Sequence, residues 1–131
     1  MDIKEFAKNF IEAENQAFKQ GKFDALEDLE ASNVVYHWGS SRDMVGHEAH
    51  KQDILSLRPA ISNVKMEMKY LVGDGDVFAL SLKSSGRYIS EIPMRPVPVG
   101  KNFSDDALLV YRLKDNKIAE VWIHGNSTYS D

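Results

Sequence analysis

The chain opens on an apolar stripe with helical spacing. Ile3, Phe6, Ala7, Phe10, Ala13, Ala17 and Phe18 recur every three or four positions, with polar residues between them. Residues 3–19 therefore predict a long amphipathic helix, ended by Gly21. Phe23, Leu26 and Leu29 give a second, short helix over 23–30. The pattern then changes. Residues 33–38 are β-branched and aromatic and predict a strand. A turn-like stretch, SSRDMVG, leads into HEAHKQDILSL, a third helix that Arg58-Pro59 closes.

Beyond Pro59 the period is mostly two. Val64, Met66, Met68 and Tyr70 alternate with Lys65, Glu67 and Lys69, as in a half-buried strand. GDGD at 73–76 reads as a tight hairpin connection into a second strand, VFALSLKSS. Pro93, Pro96 and Pro98 mark a loop or irregular edge. Residues 103–113 and 117–125 predict two further strands around an Asp115-Asn116 turn, with a frayed end after them. Helices followed by an antiparallel meander predict an α+β domain, residues 1–131, with three helices over one face of a curved sheet. Three short helices cannot fill a strongly curved sheet everywhere, so a ligand cavity is expected at its open end.

Composition narrows the partners. The 16 basic and 20 acidic residues leave a formal charge of -4, with no basic block, so no nucleic-acid partner is expected. No apolar run approaches the roughly 20 residues needed to span a bilayer, and no membrane partner is expected. The mixed-charge N-terminus does not read as a signal peptide, which makes the cytoplasm the expected location. With no cysteine, thiol catalysis and disulfides are excluded.

The segment VGKNFSDDALLVYRLKDNKIAEVWIHGN, residues 99–126, resembles the SnoaL-like family, with its polyketide cyclase and ester cyclase-like members. The resemblance rests on Pro98, Gly100, Lys101, Tyr111, Arg112, Asp115, Lys117, Ile118, Glu120 and Trp122. MVGHEAHKQDI and GDGDVFALSLKSSGRYISEI extend it upstream. It implies the cystatin-like, cone-shaped fold of the nuclear transport factor 2-like superfamily, with a mostly apolar pocket. It also implies a homodimer; no cofactor is expected, since the sequence shows no ligand cluster. The superfamily spans cyclases, ketosteroid isomerase, dehydratases, hydrolases and binding domains, so the fold does not choose an activity.

Three residues are candidate acids or bases. In the isomerase branch a catalytic aspartate ends the first strand, nine residues before the glycine that precedes the third helix. That count back from Gly46 reaches His37, which can act as a base near neutral pH. His124 is the second. Ester-cyclase relatives commonly read Glu-His-Trp-Asp where this chain has Glu120, Val121, Trp122 and Ile123, so His124 lies one residue past the aspartate position. Strict alternation would place Ile118, Glu120, Trp122 and His124 on one face. Asp105 is the third: of Asp105 and Asp106, a regular strand points one inward. Tyr36, Trp38, Met66, Met68, Tyr88, Tyr111 and Trp122 are the candidate pocket lining. His47 and His50 stand three apart, unlike the four of a zinc-protease helix, and no metal site is expected.

Two functional readings lead, and a third, a hydrolase or dehydratase with a well-positioned base and water, is not separated from the first by the sequence. One is a cofactor-free cyclase or isomerase that abstracts a proton next to a carbonyl on a small apolar substrate. Its base would be His37, assisted by Asp105 or His124, with Tyr36 or Tyr111 donating to the enolate oxygen. The other is a non-catalytic small-molecule-binding or dimeric structural domain, favoured by the missing family histidine and aspartate.

Overall fold

A computed structural model describes residues 2–39 and 42–131. Its elements are α1 (Ile3–Gln20), α2 (Asp24–Leu29), β1 (Glu30–Trp38), β2 (Met44–Val45), α3 (His47–Leu57), β3 (Ile61–Asp74), β4 (Val77–Tyr88), β5 (Asn102–Lys114) and β6 (Lys117–Ser130). A single 3-10 turn, Arg58–Ala60, joins α3 to β3. Residues 40 and 41 of the expected SSRDMVG turn lie outside the described residues.

The six strands form one sheet in the order β2-β1-β6-β5-β4-β3. All neighbours are antiparallel except β1 and β6, which run parallel. This is the α+β arrangement expected from the pattern, a curved sheet with the three helices over its concave face. The last strand does not fray: Asn126 to Ser130 stay paired with Asp106 to Asn102.

Local chemistry sets α1. Asp2 accepts from the backbone N–H of Lys4 and Glu5, and Gly21 takes the left-handed φ of 67° at the other end. Arg58 donates to the carbonyls of Phe18 and Lys19, closing the last turn. The inner face buries Phe6, Ala7, Phe10, Ala13 and Ala17 against the sheet. Phe10 meets Tyr111 edge-on at 5.1 Å, and Tyr111 stacks on Phe78 at 4.8 Å. Full burial of each large side chain here stabilises by roughly 1.5–3 kcal/mol.

A smaller cluster of Leu57, Ala60, Tyr88, Ile92 and Phe103 sits at the other end. It pins the proline-rich segment after β4 through buried Ile92, and Ile89 N–H bonds the Ala60 carbonyl. Between the two clusters the concave face is left open. No helix among the described residues is long and apolar enough to cross a membrane.

Candidate active site

The open part of the concave face is a cavity of about 640 Å³. Its walls are mainly apolar: Trp38, Met66, Met68, Leu82, Leu109 and Ile123 among them. Exposed Lys19, Leu55, Arg58, Pro59, Val64 and Arg95 form the rim. There Arg95 donates to Asp53 at 3.1 Å and ties the proline-rich segment to α3.

At the deep end, polar groups converge. Glu30 begins β1 with its side chain fully buried. It accepts from Tyr36 Oη at 2.5 Å, from His47 Nδ1 at 2.8 Å and from His50 Nδ1 at 2.9 Å. Burial would raise its pKa, but these donors and the His50 charge hold it below the usual carboxylate range. Glu30 thus fixes the His50 ring, whose Nε2 points towards Glu14 Oε1 at 3.5 Å. Glu14 and His50 both line the cavity.

The two groups are tuned in a consistent way. Burial pushes Glu14 up to about 7, against the opposing pull of His50 and with added push from Glu30 and Asp53. Burial would lower His50, but the charge of Glu14 and the bond to Glu30 outweigh it and raise it to about 9. Near neutral pH, Glu14 can gain or lose a proton beside an imidazolium held in place. The donor atoms of Glu14, Glu30 and His50 lie within 4.8 Å of one another, as a cation would need. However, Tyr36, His47 and His50 already fill the Glu30 carboxylate, so hydrogen bonds close this network.

The sequence candidates divide between the two faces of the sheet. Tyr36, Trp38, Met66, Met68, Tyr88 and Tyr111 line the cavity. Tyr36 is not free to serve an enolate, because its hydroxyl is committed to Glu30. Asp105 also faces the cavity, while Asp106 faces away. Oδ2 of Asp105 accepts from Ser84 at 3.4 Å, and Oδ1 is shut off from solvent with no hydrogen-bond partner among the described residues.

His37 does not open into the cavity. It alternates with Tyr36 and Trp38 along β1 and therefore projects from the opposite face. There it stacks on Trp122 at 5.5 Å and donates to Glu120 at 2.6 Å and Asp43 at 3.0 Å. The Glu120 bond, followed by the Asp43 bond, raises its pKa, and Glu120 is lowered in turn. Trp122 is on this outer face too, not in the cavity lining. His124 is exposed in a shallow depression with Asp106 and Leu108. The shared face expected for Ile118, Glu120, Trp122 and His124 is broken by an extra residue, Ala119: Leu113 pairs with Ile118 but Arg112 with Glu120. Ile118 is buried on the concave side and the other three face outward.

Glu14, Glu30 and His50 were missed as a site. Signals were present. Glu14 stands inside the apolar stripe of α1, four residues after Phe10 and three before Ala17. His47 and His50 share the buried stripe of α3 with Ile54 and Leu57.

Comparison with known proteins agrees with this architecture. Residues 8–128 match the family described as SnoaL-like polyketide cyclase. Among solved structures, TsrD from Streptomyces laurentii is 18% identical, with a TM-score of 0.77 over 94% of this chain and 90% of that one. IdmH from Streptomyces antibioticus is 21% identical, with a TM-score of 0.69 over 96% and 93%. The epoxide hydrolase/cyclase-like enzyme SalBIII, with a role in pyran ring formation in the polyether salinomycin, is 19% identical, with a TM-score of 0.71 over 95% and 93%. At these identities the likeness is one of fold. None of the curated proteins matches the chain.

Proposed function

Since the chain belongs to the SnoaL-like polyketide cyclase family, we propose that it moves a proton next to a carbonyl on a small, largely apolar substrate, as a cyclase or isomerase. The observation that carries this is the Glu14–His50 pair, buried yet facing an apolar cavity. Glu14 is the base. Its carboxylate takes the α-proton, and the C–H electron pair becomes the enolate π bond. His50, held by Glu30, donates to the enolate oxygen as charge develops there. In a cyclisation the enolate carbon then bonds to a second carbonyl carbon of the same molecule. The resulting alkoxide recovers a proton from Glu14. In an isomerisation that proton returns to a different carbon. His37 and His124 have no part in this scheme, because both lie on the other face of the sheet.

The test is hydrogen–deuterium exchange at the methyl group of 4-acetylbiphenyl in D2O, followed by NMR. The wild type should accelerate exchange over buffer, and Glu14→Gln should lose roughly 10²- to 10⁴-fold of that rate. His37→Ala should retain it. Wild-type exchange no faster than buffer would overturn the reading. It would favour ligand binding without turnover, to which Ile123 in the aspartate position of ester-cyclase relatives also points.

A further inference from the structure

Inside the rim, the polar groups of the cavity stand at two separate stations. The deep one is Glu14–His50, next to Tyr36 and Tyr111. The other is Asp105, which β5 places six residues from Tyr111 on the same face. That is roughly 20 Å along the strand and less across the concave sheet. Between them the lining is Met68, Leu82, Leu109 and Ile123. Asp105 lies in the strand row Met66–Ser84–Asp105, near the rim residue Val64.

Oδ1 of Asp105 is the unusual atom. It is shielded from solvent and without a donor among the described residues, in a side chain that itself lines the cavity. Its neighbour Ser84 reaches only Oδ2, and at 3.4 Å. An acceptor left bare in such surroundings is costly, and a turn of the carboxylate about χ2 would present it to a donor that arrives with the ligand. Neighbouring Tyr88 and Phe103 stack on each other at 4.8 Å and give that end an aromatic wall.

We infer that Asp105 is a specificity residue that receives a hydroxyl group at the outer end of an elongated ligand, whose carbonyl lies at the deep end. The substrate class is then an extended, mostly apolar molecule with a carbonyl at one end and an alcohol or phenol at the other. This rests on the reading of the cavity as the substrate site and deepens it. It does not depend on turnover.

The experiment is isothermal titration of the wild type at pH 7 with 4-acetyl-4'-hydroxybiphenyl and with 4-acetylbiphenyl. A hydrogen bond to this carboxyl group predicts at least about tenfold tighter binding of the hydroxylated probe. Asp105→Leu should abolish that preference while keeping or improving affinity for 4-acetylbiphenyl. Asp105→Asn, which keeps a carbonyl acceptor, should retain part of it. Equal affinities in the wild type, or a preference that survives in Asp105→Leu, would overturn the inference. A preference that vanishes in Asp105→Leu, with no exchange activity in the wild type, would sustain this inference while removing the proton-transfer reading.

Discussion

Glu14, the proposed base, also makes stability depend on pH. Its ordinary pKa is 4.5 and its folded value about 7. Between these, the folded chain holds a proton that the unfolded chain has lost. Stability therefore falls as pH rises from about 4.5 to 7. His50, raised from 6.5 to about 9, contributes stability that is complete below 6.5 and lost as pH rises through 9. Scanning calorimetry from pH 4.5 to 7 should show a declining Tm in the wild type. Glu14→Gln should flatten that decline, removing up to about 3 kcal/mol of pH dependence. An unchanged slope would mean that Glu14 ionises as freely in the folded chain as in the unfolded one. The residue was legible as an anomaly, a carboxylate in an apolar helical stripe. Its partners were not, because Glu30 and His50 are distant in sequence and meet only when β1, α1 and α3 pack together.

At the scale of the element, periodicity was informative where strands are regular. On β1 the alternation that turns Tyr36 and Trp38 inward must turn His37 outward, so no regular strand could deliver all three to one cavity. On β5 the same rule separates Asp105 from Asp106. On β6 the rule fails at Ala119, where a bulge reverses the face of every residue that follows relative to Ile118. Nothing in the local sequence KIAEV marks that bulge, which depends on how β6 registers against β5. Further along β6, Gly125 lies opposite Ala107. A Cβ there would stand 2.6 Å from the Asp106 carbonyl oxygen and 2.8 Å from the Ala107 side chain. The backbone contact cannot be relieved by a rotamer change. Gly125→Ala should cost roughly 1–3 kcal/mol in urea unfolding. A neutral result would show that β5 and β6 can part locally without loss.

At the scale of the whole molecule, the cavity is what the helices leave uncovered. Filling it should separate binding from folding. Ile123 points into it from β6, and Ile123→Phe adds bulk to open space rather than to a packed core. The affinity for 4-acetylbiphenyl should fall at least about tenfold while Tm holds or rises, as cavity filling generally stabilises. A large drop in Tm would instead show a wall too rigid to accept the ring. The sequence by itself determined the α+β class, the order of the main elements and six of the lining side chains, because these follow from local periodicity and turn chemistry. Only the tertiary structure decided which titratable groups share a site. A strand face, a bulge and the approach of α1 to α3 are set by long-range pairing, and hydrogen-bond geometry at 3 Å does not exist until that pairing is complete. Hence the histidine between two aromatics faces outward, and the buried titratable pair at the cavity is a glutamate and a histidine from two helices.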